Sequence, residues 1–135
     1  MDGHLPRPGK APCGTCPYRR DVPSGVWDAS EYVKLPRYDG EIYEQLLANA
    51  VGLFFCHQSD GHLCAGWVAC HDMTNTLATR LHEVHPSTYD YRSPVPVFAS
   101  GEEAAEHGMD GIDEPDARAR AAIRKLQIKR GECDE

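Results

Sequence analysis

The chain has 135 residues, a formal net charge of −7, 6 cysteines, 10 prolines and few aromatics. That length fits a single domain with a modest core, and the acidic balance argues against non-specific binding of polyanions by the chain as a whole. No apolar run approaches the roughly 20 residues of a membrane span, and Met1–Pro6 lacks the charged-then-apolar pattern of a secretory leader. The expected location is therefore the cytoplasm, where clustered thiols bind metal more often than they pair as disulfides.

In chain order, residues 1–12 hold three prolines and two glycines without periodicity and read as an irregular arm. A tight Cys13-x-x-Cys16 turn follows, stopped by Pro17. Asp28 and Glu31 have the spacing of a capping box, and Trp27 with Tyr32 that of a hydrophobic staple, so a short helix is expected to end before Pro36. A second helix begins at Asp39-Gly40-Glu41. Tyr43, Leu46, Leu47 and Ala50 recur on one face of it, which predicts burial of that face, and Gly52 is expected to break it. Val51–Phe55 reads as a short buried strand leading into Cys56.

Beyond the Cys64-Ala65-Gly66-Trp67 turn, a helix is expected from about Asp72 to Glu83, with Met73, Leu77, Leu81 and Val84 inward and Pro86 as its stop. Ser93–Ala99 fits an edge strand or plain extended chain. Ser100 and Glu103 form a second capping box for a brief helix that Gly108 ends. Residues 109–114 read as an acidic linker. Pro115 then suits the first turn of a last helix, with Ala119, Ala122, Ile123 and Leu126 on one stripe. Residues 115–130 carry six basic side chains against Asp116 alone. The sum is a small, mostly helical α+β domain with a strand or two: an arm (1–12), a metal-binding body (13–108), and a linker with a basic helix packed on the body (109–135).

The chemistry lies in four thiols. Cys13 and Cys16 are separated by two residues, so a tight turn brings both sulfurs to the same side, as metal ligation requires. Cys56 and Cys64 flank a polar loop with the glycine that a sharp return needs. Ordinary buried cysteines are the bland account, but four thiols, two of them in such a turn, favour one shared metal centre. Zinc takes four sulfurs in a tetrahedron, or three and an imidazole, so His57, His71 or Cys70 could replace one thiolate. A [4Fe–4S] cluster, which accepts wider ligand spacing, is the alternative. Cys133 reads as a bystander in the polar tail.

Cys13-x-x-Cys16-Pro17-Tyr18-Arg19, Pro23-Ser24-Gly25-Val26-Trp27, Phe55-Cys56-His57 and Cys64-Ala65-Gly66-Trp67 together carry a resemblance. The chain resembles a family of small uncharacterised proteins from actinobacteria and their phages, over about residues 12–82. The resemblance implies a four-cysteine site and adds no reaction.

Two rival chemistries fail on the residues, and a third, a redox dithiol, stays open as a minor alternative. A zinc deaminase would need His-x-Glu ahead of the Cys-x-x-Cys, where only His4-Leu5-Pro6 stands. A thioredoxin-type dithiol would need a strand before Cys13. His82-Glu83-Val84-His85 spaces its histidines by three rather than four, which is not the zincin pattern.

The sequence therefore favours a non-enzymatic metal-binding module, a regulatory or interaction protein with a structural centre. A cluster-based redox regulator is the alternative, and an enzyme using the centre comes third. Its expected partner is a host or regulatory protein rather than nucleic acid or a membrane. Arg118, Arg120, Arg124 and Lys125 of the basic helix are the candidate contacts.

Overall fold

The computed structural model describes residues 5–56, 62–110 and 112–130, with backbone alone for 126–130. Six α-helices are described: α1 (Ala29–Tyr32), α2 (Ile42–Leu47), α3 (Ala65–Cys70), α4 (Leu77–Leu81), α5 (Gly101–Met109) and α6 (Ala117–Arg130). Two strands of two residues each, β1 (Arg7–Pro8) and β2 (His62–Leu63), pair in parallel, with Arg7 opposite His62 and Pro8 opposite Leu63. This is a small, mostly helical α+β fold. The arm thus contributes a strand, and the Pro6 carbonyl accepts from the His85 amide at 2.8 Å. No described helix is long and apolar enough to cross a membrane.

Core side chains come from every part of the chain. Tyr18, Tyr32, Leu35, Leu63 and Trp67 are almost fully buried. The rings of Tyr18 and Tyr38 meet Phe54 edge-on at 5.9 Å each, and Tyr38 meets Trp67 at 5.3 Å. Such edge-to-face contacts add specific geometry to the burial. Against this core, α5 packs closely on α1 because Gly108 has no side chain: a Cβ there would enter the Tyr32 ring.

Several local expectations are corrected. Asp28 stands before α1 but its side chain makes no cap; instead the Tyr32 hydroxyl accepts from the Trp27 amide at 3.0 Å. Ala50 is buried as expected, but the rest of the apolar stripe of α2 faces outward. Tyr43 is 64%, Leu46 60% and Leu47 83% exposed, while Gln45 is buried. Gln45 turns the helix this way. Its amide nitrogen donates to the Gly40 and Asn75 carbonyls at 3.0 Å each, and its oxygen accepts from the Leu77 amide at 2.8 Å. Satisfying three polar partners in the interior outweighs the periodicity signal.

The same helix ends at Asn49, not Gly52. Asn49 has φ of 61°, and the Ala50 and Asn49 amides bond back to Gln45 and Leu46 at 2.9 and 3.0 Å. That is a Schellman end with asparagine in the left-handed position.

Among the described residues, 51–55 form no regular strand. Phe55 makes an isolated antiparallel bridge to Leu63. The helix expected over 72–83 is split into a 3-10 turn, Met73–Asn75, and α4, because Thr76 is extended between them. Met73 and Val84 are buried as expected, whereas Leu81 is 57% exposed. Within Ser93–Ala99, Val97 is paired in an isolated bridge to Arg19, and the chain bends at Pro94–Val95. Ser100 caps α5 by accepting from the Glu103 amide at 3.1 Å, and the Asp39 carboxylate accepts from the Gly101 and Glu102 amides. Gly108 lies within α5, which runs on to Met109. Asp116, not Pro115, opens α6, its carboxylate accepting from the Ala119 amide at 2.8 Å.

Candidate metal centre

The Cys13–Cys16 turn closes through a bond from the Cys16 amide to the Cys13 carbonyl at 3.0 Å. Two side chains fix the turn from outside. The Trp27 indole donates to the Thr15 carbonyl at 2.7 Å, and the Arg19 guanidinium donates to the Pro12 carbonyl at 3.0 Å while pairing with Asp21. Opposite it, residues 54–56 and 62–64 run antiparallel. The Cys56 amide bonds to the His62 carbonyl and the Cys64 amide to the Phe54 carbonyl, both at 2.8 Å. The return places Cys56 and Cys64 near one another although seven residues separate them. The loop residues 57–61, with His57, lie outside the described residues.

The two segments meet, and Cys13, Cys16, Cys56 and Cys64 all line one small enclosed cavity of about 40 Å³, walled by Pro17 and Trp27. Within it the thiols form two pairs. The Cys16 and Cys64 sulfurs are 3.6 Å apart and buried. Cys13 and Cys56 lie on the lining of the same cavity, and both are partly exposed. No disulfide joins any of them. Among the described residues, no three His, Cys, Asp or Glu side chains close on a single point. The arrangement is two pairs facing one cavity, not a finished tetrahedron.

Backbone amides are directed at the sulfurs. The amides of Tyr18 and Gly66 favour the ionised form of Cys16, that of Thr15 does so for Cys13, and that of Trp67 for Cys64. The Trp67 contact falls short of a full side-chain cap on α3. Such amide contacts to sulfur tune thiolate ligands in metal sites.

The hydrogen bond from the Cys64 thiol holds Cys16 below the usual thiol range, against burial and the Cys56 charge; the same bond, with burial, pushes Cys64 well up. Cys13 is raised by its bond to Cys56, then by burial and by Cys16. In the Cys16–Cys64 pair, Cys64 thus holds the proton for both. Four sulfurs that repel one another's charge in a small cavity suit a cation.

Gly66 is the residue that sequence reasoning missed. A Cβ on it would run into the Cys16 sulfur and come within 2.7 Å of the Tyr18 Cβ. The signal was present in Cys64-Ala65-Gly66-Trp67: two small residues followed by a large aromatic let α3 lie directly on the thiol turn.

The other candidates lie elsewhere. Cys70 and His71 line a different cavity of about 320 Å³, with Asp39 and Gln45. The His71 Nδ1 is 3.6 Å from an Asp39 oxygen, and burial lowers its pKa to about 4, Asp39 opposing. Burial, with Asp39 and Cys16 adding to it, pushes the Cys70 thiol up to about 12. Arg118 donates to the Asp21 carbonyl at 3.0 Å and Ala119 is fully buried, so α6 is packed on the body. Arg120, Arg124 and Lys125 are exposed.

Fold and site together define a small α+β protein in which cysteines from two distant segments line one small cavity. The chain belongs to the family of unknown function DUF6283, whose pattern matches residues 8–130. Neither a curated protein nor a solved structure matches it.

Proposed function

We propose that this chain is a non-enzymatic module folded around one divalent metal ion, zinc, held by Cys13, Cys16, Cys56 and Cys64, and that it acts by binding a protein partner in a reducing compartment such as the cytoplasm. The observation that carries the reading is the convergence of all four thiols on one cavity, with amides favouring charge on three of them. A zinc–sulfur bond of about 2.3 Å gives a tetrahedral edge of about 3.8 Å. The Cys16–Cys64 separation of 3.6 Å is near that edge. An ion would draw the Cys13–Cys56 pair in to complete the set and replace the shared protons.

Metal analysis of protein purified without oxygen tests this. One zinc per chain and no colour are expected. Iron with sulfide and a broad absorption near the visible edge would overturn zinc in favour of a cluster, and a metal-free folded protein would overturn both.

A protein partner is favoured by the outward face of α2. Tyr43, Leu46 and Leu47 are exposed there beside Glu41 and Glu44, which suits a partner surface with apolar and basic groups. Duplex DNA is expected to show no retardation with this chain at low salt. Tight, salt-sensitive binding lost in Arg120→Ala/Arg124→Ala would overturn the choice.

A further inference from the structure

The thiols do not pair along the chain. Cys16 of the Cys13–Cys16 turn meets Cys64 of the other segment at 3.6 Å, which leaves Cys13 and Cys56, on the lining of the same cavity, as the second cross-segment pair. The pairs also differ in access. Cys16 and Cys64 are 0% and 4% exposed, whereas Cys13 and Cys56 lie at the rim of the cavity. Inside the turn, Cys13 is occupied differently, its sulfur 3.9 Å from the Thr15 hydroxyl and its carbonyl held by the Cys16 amide. A disulfide needs the two sulfurs to approach to about 2.05 Å with Cβ atoms about 3.8 Å apart. Cys16 and Cys64, already in contact across the cavity, are nearest to that geometry, and their pairing leaves Cys13 and Cys56 to each other.

We propose that the centre is a peroxide-sensitive switch, in which oxidation forms two cross-segment disulfides, Cys13–Cys56 and then Cys16–Cys64, and expels the metal. The proposal rests on the zinc reading above and adds its regulation. At the rim, one thiolate attacks a peroxide oxygen, the O–O bond breaks with release of water, and a sulfenic acid forms. The partner thiolate then attacks that sulfur and expels hydroxide, which takes up a proton to leave as water. With two ligands gone the ion is held by Cys16 and Cys64 alone. A second peroxide oxidises that pair in the same way. In total, Zn(S-Cys)4 carrying two negative charges, two hydrogen peroxide molecules and four protons give two disulfides, Zn2+ and four water molecules.

Either disulfide would tie the N-terminal turn to the 54–64 return by a covalent bond. The oxidised protein therefore keeps its two segments together without the ion, and reduction by a cellular dithiol restores the ligands. A bond within the Cys13-x-x-Cys16 turn would instead leave the segments unlinked.

The test is titration of the full-length zinc-loaded protein with hydrogen peroxide. Released zinc is followed with a colorimetric chelator, and blocked, unreduced tryptic peptides are mapped by mass spectrometry. Cys13 and Cys16 share one tryptic peptide and Cys56 and Cys64 another, so cross-segment bonds join the two peptides and a turn disulfide does not. Release of one zinc by two peroxide equivalents is expected, with joined peptides lighter by four hydrogens and fragmentation placing the bonds at 13–56 and 16–64. In Cys64→Ser, the 13–56 bond is still expected. A Cys13–Cys16 bond, joined peptides with the opposite pairing, or retention of zinc after two equivalents would each overturn the switch. Protein that arrives without zinc would overturn the metal reading instead, and the map made on it still decides the pairing.

Discussion

The two thiol pairs share one cavity but rest on different supports. Cys16 and Cys64 sit inside the core, under α3, with Gly66 against the Cys16 sulfur and aromatic rings beyond. Cys13 and Cys56 sit at the edge and are partly exposed. The difference teaches that one set of thiols combines a structural half with an accessible half. The inner pair is embedded in the packing that defines the fold, and the outer pair completes the site.

The sharpest way to break this comparison is to remove one sulfur from each pair. Cys16→Ser or Cys64→Ser should lower stability by on the order of 4 kcal/mol, because metal-binding energy is folding energy and a buried contact is lost as well. Cys13→Ser and Cys56→Ser should cost about half as much, since water can take the vacated rim position. Cys133→Ser should cost nothing. Denaturant titrations of the five variants, with and without a chelator, check the order; equal losses from the two pairs would show that they are equivalent.

A pH series probes the other side of the aromatic wall. His71 is 7% exposed and its folded pKa is lowered to about 4, against about 6.5 when unfolded. Between those values the unfolded chain binds the extra proton, so stability is full above about pH 6.5 and falls as pH drops toward 4, by about 3 kcal/mol. Urea melts at pH 7 and pH 4.5, run beside His71→Gln to cancel any thiol contribution, should show the wild type losing more. Parallel losses would contradict a neutral, buried His71.

Gly66→Ala sharpens the comparison at the inner pair. Its methyl would force Cys16 or Tyr18 to move, costing about 2 kcal/mol, and should weaken zinc affinity more than the same change at Gly14, which has open space around it. Zinc competition titrations of the two variants decide this.

The smallest effects fall on α2. Gln45→Ala should cost about 1–2 kcal/mol by leaving the Gly40 and Asn75 carbonyls and the Leu77 amide without their partner. Leu47→Asp should change stability by no more than about 0.5 kcal/mol, since Leu47 is 83% exposed. A large loss from Leu47→Asp would mean that the apolar face of α2 is covered in solution.

The sequence by itself supplied the α+β class, the two cysteine segments, the Ser100 cap and the burial of Ala119, while the Leu126 side chain of the same stripe lies outside the described residues. These follow from local signals: a thiol spacing, a capping side chain, a short apolar repeat. Only the tertiary structure decided which way α2 faces, because a buried glutamine with three partners in other segments overrides a period read along one helix. It also decided that the thiols meet across the segments rather than within the turn. Sequence spacing states which sulfurs a turn can bring to one side, but the partner each sulfur contacts depends on how α3 and the arm pack around the cavity. Gly66 shows the reason in one residue: its role is the absence of a side chain, and that has meaning only once Cys16 and Tyr18 are packed against it.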